Sequence, residues 1–133
     1  MLEKDMIQQR GFRNVVEDGS MSGFQLRIRT PYYRGIWASL LEGANVTVDG
    51  EVFAKEDIRW TLAGTSFSLQ ELENSSGLRW QFDDAATLTV PKAGGLEPGL
   101  HEVKVELRFR ASYMPENMQP WIERAQRKIT LIA

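Results

Sequence analysis

The sequence contains no cysteine and a single histidine, and these two shortages remove whole classes of chemistry at the outset. Without cysteine there is no disulfide framework, and a zinc or iron site assembled from this chain alone lacks its usual ligands. An excess of charge of one sign is missing too. Sixteen basic residues against eighteen acidic ones leave a formal net charge of −2, which provides no field to gather nucleic acid or an anionic membrane. No apolar run is long enough to span a bilayer, and the opening MLEKDMIQQR is charged, without the apolar centre of a secretion signal. A soluble, cytoplasmic protein is expected. Helical propensity gathers only at Leu69 to Asn74 (LQELEN), enough for a turn or two. No nucleophile stands beside a base at a recognised spacing, and no glycine loop of the phosphate-binding kind appears.

What the chain does have is aromatic residues and alternation. Four Trp, three Tyr and six Phe in 133 residues are generous, and the length suits one domain with a single core. The longest alternating run lies in Leu96 to Pro115, LEPGLHEVKVELRFRASYMP. Val103, Val105, Leu107, Phe109 and Ala111 point one way while Glu102, Lys104, Glu106, Arg108 and Arg110 point the other, the period of a half-buried strand. Shorter strands must pair along both its edges, and a second layer must cover its valines.

Those strands can be read in order. Residues 1–10 form a polar lead-in, Phe12 to Val16 a strand, and Glu17-Asp18-Gly19 a turn into a second strand, Gly23 to Thr30. After the loop Pro31-Tyr32-Tyr33-Arg34-Gly35 the chain re-enters a sheet over Ile36 to Leu41, which Gly43 ends. Asn45 to Val48, Asp49-Gly50 and Glu51 to Phe53 carry the strongest hairpin signal in the chain, because Asp-Gly supplies the positive dihedrals of a tight primed turn. Ile58 to Leu62 and Ser66 to Ser68 make another hairpin around Ala63-Gly64. Trp80 and Phe82 flank a brief extended piece, and Ala86 to Val90 is a strand ended by Pro91. PENMQPW is a loop, residues 122–126 a short helical turn, and Arg127 to Ile132 closes the sheet. Many short strands with almost no helix predict an all-β, antiparallel two-sheet β-sandwich, immunoglobulin-like or jelly-roll-like, or an open barrel.

Candidate chemistry is sparse. His101 needs a partner to become a base, and Glu97 or Glu102 stand nearby in sequence, although Glu102 points to the opposite face. The plainer reading is a histidine at the start of a strand, bonded to a loop carbonyl. Asp83-Asp84 lacks a third oxygen-rich partner for a cation, and Glu71 and Glu73 read as a wet face. Arg27 and Arg29, set beside Arg108 and Arg110, would form a four-arginine stripe if their strands were neighbours, clamping an acidic partner or simply pairing with Glu102 and Glu106. Tyr32, Tyr33 and Arg34 are of the types enriched where a partner buries a surface. Tyr113-Met114-Pro115 and Met118-Gln119-Pro120-Trp121 put further large apolar groups into loops.

Gly11-Phe12-Arg13-Asn14-Val15, Pro31-Tyr32-Tyr33-Arg34-Gly35, Val46-Thr47-Val48-Asp49-Gly50, Thr87-Leu88-Thr89-Val90-Pro91-Lys92 with Gly94-Gly95-Leu96, and Ser112-Tyr113-Met114-Pro115 together resemble the small beta subunit of bacterial C-glycoside deglycosidases. The resemblance runs from about residue 11 to about residue 115 and departs at ENMQPWIERAQR. It implies a hetero-oligomer with a larger alpha subunit, a barrel similar to sugar-phosphate isomerases that carries the catalytic groups and a divalent metal, manganese. The implied reaction is a carbon–carbon lyase step on a 3-oxo-C-glycoside, such as an oxidised flavonoid C-glycoside. A base removes the proton on carbon 2, the metal stabilises the enolate, and the aglycone leaves by elimination. The present chain would be noncatalytic and bind no metal itself. By the same resemblance Tyr32, Tyr33, Arg34, Tyr113 and Met114 are the expected partner-interface or pocket-rim residues. Two rivals remain from the residues alone: a free-standing carbohydrate-binding β-sandwich with Trp and Tyr as sugar platforms, and a homo-oligomeric structural domain.

Overall fold

Alternation of apolar and polar residues, interrupted by two-residue turns, folds this chain into two antiparallel sheets packed face to face, without barrel closure. A computed structural model describes residues 2–31, 35–110, 115, 117 and 119–132. In chain order the strands are β1 (Arg13–Glu17), β2 (Ser20–Arg29), β3 (Ile36–Trp37), β4 (Leu41–Val48), β5 (Glu51–Phe53), β6 (Arg59–Leu62), β7 (Thr65–Phe67), β8 (Arg79–Trp80), β9 (Ala85–Pro91), β10 (Gly99–Phe109) and β11 (Trp121–Leu131), with the short helix α1 (Leu69–Glu73) after β7. One sheet has five strands in the order β1-β2-β9-β6-β7, the other four in the order β11-β10-β4-β5, and β3 and β8 form a separate two-stranded ribbon.

The alternation decides which residues meet. Val103, Val105, Leu107 and Phe109 of β10 are buried, as are Phe24, Leu26 and Ile28 of β2, and all belong to one contiguous core. Full burial of each such side chain contributes about 1.5–3 kcal/mol. The hairpins sit where turn chemistry puts them. Asp18-Gly19, Asp49-Gly50 and Ala63-Gly64 all have positive φ at both positions, the backbone of a primed two-residue turn. Helix α1 is held by Ser68, whose hydroxyl accepts from the Glu71 amide while the Glu71 carboxylate accepts from the Ser68 amide, a reciprocal cap. Gly23 is required by crowding: a Cβ there would lie 2.1 Å from the Val90 carbonyl oxygen.

Several expectations are corrected. Residues 1–10 are more than a polar lead-in, because Met6 and Ile7 are buried in the core and Ile7 bridges Ile28 of β2. Arg127 fastens this segment by donating to the Ile7 carbonyl and to Glu3, each at 2.8 Å. Ile36 to Leu41 is not one strand: β3 is two residues long, a 3-10 turn covers Ala38–Leu40, and β4 starts at Leu41. Gly43 lies inside β4, beside a bulge where the register against β10 slips between Arg108 and Phe109. Residues 122–126 form no helical turn, since they belong to the eleven-residue strand β11, paired along its whole length with β10. Pairing with the longest strand overrides a weak local helical preference.

Candidate functional site

His101 finds a carboxylate, but one remote in sequence. Its Nδ1 lies 2.6 Å from Asp49 Oδ2 and its Nε2 lies 2.6 Å from the Glu97 carbonyl. Both neighbours are acceptors, so both bonds form together only when the ring carries two protons. Asp49 Oδ1 also accepts from the Glu102 amide at 2.8 Å, and Phe12 packs edge-on against the imidazole with centroids 5.9 Å apart. Burial pulls the His101 pKa down, yet the Glu97 carbonyl and the Asp49 carboxylate outweigh it and hold the pKa above its ordinary value. The Asp49 pKa is held below the carboxylate range by the hydrogen bond from His101 and by the Glu102 amide. With both nitrogens engaged, the ring has no free lone pair to act as a base. It ties the β4–β5 turn to the start of β10. The loop-carbonyl reading is correct for Glu97, and sequence reasoning missed Asp49, whose place in the Asp-Gly turn was the available signal.

The opposite end of the sandwich carries the exposed aromatics. Trp37 is 43% exposed, Phe82 48% and Trp121 38%. Trp37 pairs with Arg79 across the β3–β8 ribbon, and the Arg79 guanidinium sits 5.1 Å from the Trp37 ring centroid. Phe82 follows in the turn leading to β9, and Trp121 opens β11 opposite Phe109. Thr30 and Pro31, where β2 has ended, line one depression with Glu123 and Arg124 near the start of β11. Tyr32, Tyr33, Arg34, Tyr113 and Met114, the residues expected at a partner interface or pocket rim, lie outside the described residues.

The two outer faces differ in charge. β2 and β10 lie in different sheets, so Arg27 and Arg29 do not stand beside Arg108 and Arg110 and the four-arginine stripe does not form. On the four-stranded sheet the charges neutralise one another: Arg124 meets Glu106 at 3.1 Å, Arg108 meets Glu42 at 4.0 Å, and Lys104 meets Glu102 at 4.0 Å. On the five-stranded sheet the register sets Arg13, Gln25, Thr89 and Arg59 in one row and Arg27, Thr87, Thr61 and Ser66 in the next. None of these is acidic.

Among the described residues no group of three or more His, Cys, Asp or Glu side chains could hold a metal ion, and no helix is long and apolar enough to cross a membrane. The chain is an all-β two-sheet sandwich in which both ring nitrogens of the single histidine are engaged. The sequence profile of the C-glycoside deglycosidase beta subunit matches residues 2–113, and the chain belongs to that family. It is 36% identical over 123 residues to the C-glycoside deglycosidase beta subunit of Eubacterium cellulosolvens, covering 92% of this chain and 84% of the relative. It is 33% identical over 100 residues to a C-glycoside deglycosidase beta subunit of Arthrobacter globiformis, covering 75% of this chain and 74% of the relative. The 3'-dehydrocarminate deglycosidase beta subunit of a Microbacterium species is 33% identical over 111 residues, covering 81% and 83%.

Proposed function

We propose that this chain is the noncatalytic beta subunit of a heteromeric C-glycoside deglycosidase acting in the cytoplasm. The observation that carries this reading is the 36% identity to a C-glycoside deglycosidase beta subunit across 92% of the chain. The partner would be a larger barrel-shaped alpha subunit that holds the catalytic base and a divalent metal, manganese. The substrate would be a 3-oxo-C-glycoside. The ketone acidifies the proton on carbon 2; the partner's base takes it, the bond between the sugar and the aromatic aglycone breaks, and the aglycone carbon takes up a proton as it leaves. Bound metal would supply Lewis-acid stabilisation of the developing negative charge. This chain would buttress the barrel, with the 31–35 and 113–115 segments at the pocket rim.

The test is co-expression with a larger subunit of that type, followed by pull-down and an assay on a 3-oxo-C-glucoside with and without manganese. Cleavage by the complex and by neither chain alone is the expected result. Full activity of this chain alone, or failure of the two to associate, would overturn it. Tryptophan fluorescence that responds to simple sugars without a partner would favour a free-standing carbohydrate-binding module instead.

A further inference from the structure

Positive charge is concentrated on one face of a chain that is slightly acidic overall. Arg13, Arg27, Arg29 and Arg59 all stand on the outer side of the five-stranded sheet, since their neighbours Phe24, Leu26, Ile28 and Trp60 point into the core. Among the described residues only Arg59 of these four has a carboxylate within ion-pair distance, Glu71 at 3.5 Å. Arg29 donates to the backbone carbonyl of Glu3 at 2.9 Å and forms no ion pair among the described residues, although Asp5 and Glu123 line the same depression. Arg27 lays its stem over Gly11, where a Cβ would come within 2.4 Å of its Cδ, and Arg13 is exposed. Between them stand the neutral residues Gln25, Thr87 and Thr89. The contrast with the other sheet matters, because there three ion pairs neutralise the same kind of surface.

We propose that the outer face of the five-stranded sheet docks an acidic protein surface on the larger subunit. The inference rests on the subunit reading above and adds to it the face and the chemistry of the contact. Guanidinium groups left without carboxylates suit a partner that brings them, since forked donors match carboxylates in pairs. A second copy of this chain applied face to face would set arginine against arginine, which excludes the symmetric dimer. Nucleic acid is disfavoured because the face has no aromatic residue on which a base could stack.

The experiment measures the dissociation constant of the full-length chain for the larger subunit between about 50 and 400 mM NaCl. Wild-type affinity should fall with salt. The double substitution Arg13→Glu, Arg27→Glu should weaken binding at least about tenfold and flatten the salt dependence, while Lys104→Glu, Arg124→Glu on the other sheet should leave it within about twofold. Thr89→Glu, which puts a carboxylate in the middle of the face, serves as a second variant, and circular dichroism establishes that each is folded. A wild-type complex that the folded Arg13, Arg27 and Thr89 variants leave unchanged overturns this inference and spares the subunit reading. Absence of any wild-type complex removes both. Self-association, or retention on anionic vesicles, that the double variant abolishes would assign the face to another occupant and also overturn the proposal.

Discussion

At the end where β1 turns into β2 and β4 into β5, short polar links join neighbouring segments, whereas at the opposite end the chain is held by buried tryptophan. At the turn end Asn14 exchanges two hydrogen bonds with Leu96, both 2.8 Å, Lys92 reaches from the β9 side to Glu51 of β5 at 2.9 Å, and His101 joins Asp49 to Glu97. At the aromatic end Trp80 packs edge-on against Trp60 with centroids 5.6 Å apart, and its Nε1 donates to the Asp84 carbonyl at 3.0 Å. Polar links half open to water are each worth little and many are needed. A buried aromatic pair contributes through area and shape, so a few residues suffice.

The comparison breaks first, and hardest, at Trp80. Trp80→Ala removes a side chain that is 1% exposed and should cost about 3–5 kcal/mol, read as a fall in Tm of more than about 10 °C. A loss below about 1 kcal/mol would mean that the ribbon collapses to fill the space and that the aromatic end is not held as described. The turn end should yield less to any one change. Asn14→Ala leaves the Leu96 amide and carbonyl to find water and should cost about 1–3 kcal/mol, measured by urea unfolding.

The same contrast explains which parts of the molecule can be read from the sequence. The turn end is written locally: Asp18-Gly19 and Asp49-Gly50 specify their own backbone, and the alternation around them sets strand faces, so β1, β2, the β4–β5 hairpin and the core side of β10 follow from neighbouring residues. The aromatic end depends on partners far apart in the chain. Ile36 pairs with Trp80, and Trp121 to Gln126 become strand only because β10 lies beside them, so an isolated reading runs Ile36 to Leu41 together as one strand and puts a helical turn at 122–126. Ile7 is hidden for the same reason, since nothing in MLEKDMIQQR announces that it will bridge Ile28. For the site, the interest of His101 is legible and its partner is not, because a turn aspartate is ordinarily read as backbone chemistry. The arginine alternation of β2 is legible too, but which sheet it joins is fixed by topology.

Protonation sharpens the turn end further. His101 has a folded-state pKa above its ordinary value, so the stability it adds is fully present below about pH 6.5 and fades as pH rises through the raised value. Asp49 behaves in the opposite sense: its contribution is present above about pH 3.9 and is lost as pH falls through the lowered value. Both therefore act together between about pH 4 and 6.5. Thermal unfolding of the wild type should weaken above neutrality by about 1 kcal/mol, and His101→Gln should abolish that slope while leaving the Trp80 contribution intact. A wild-type profile flat from about pH 6 to 9 would show that the ring does not gain its proton on folding.

The smallest effect on stability is expected from the exposed tryptophans of the aromatic end. Trp37 and Trp121 lie at the same end as buried Trp80 but face solvent, and truncating them removes little area from the core. Trp37→Ala loses a half-exposed stack under Arg79, and Trp121→Ala loses a contact at 3.1 Å from its Nε1 to Glu123; each should stay within about 0.5 kcal/mol of the wild type. If this end forms the rim of a glycoside pocket, the same two substitutions should raise KM for a 3-oxo-C-glucoside in the assembled complex without lowering Tm. Unchanged KM and kcat in both variants would leave buried tryptophan as the only service of this end and move the search for the rim elsewhere on the chain.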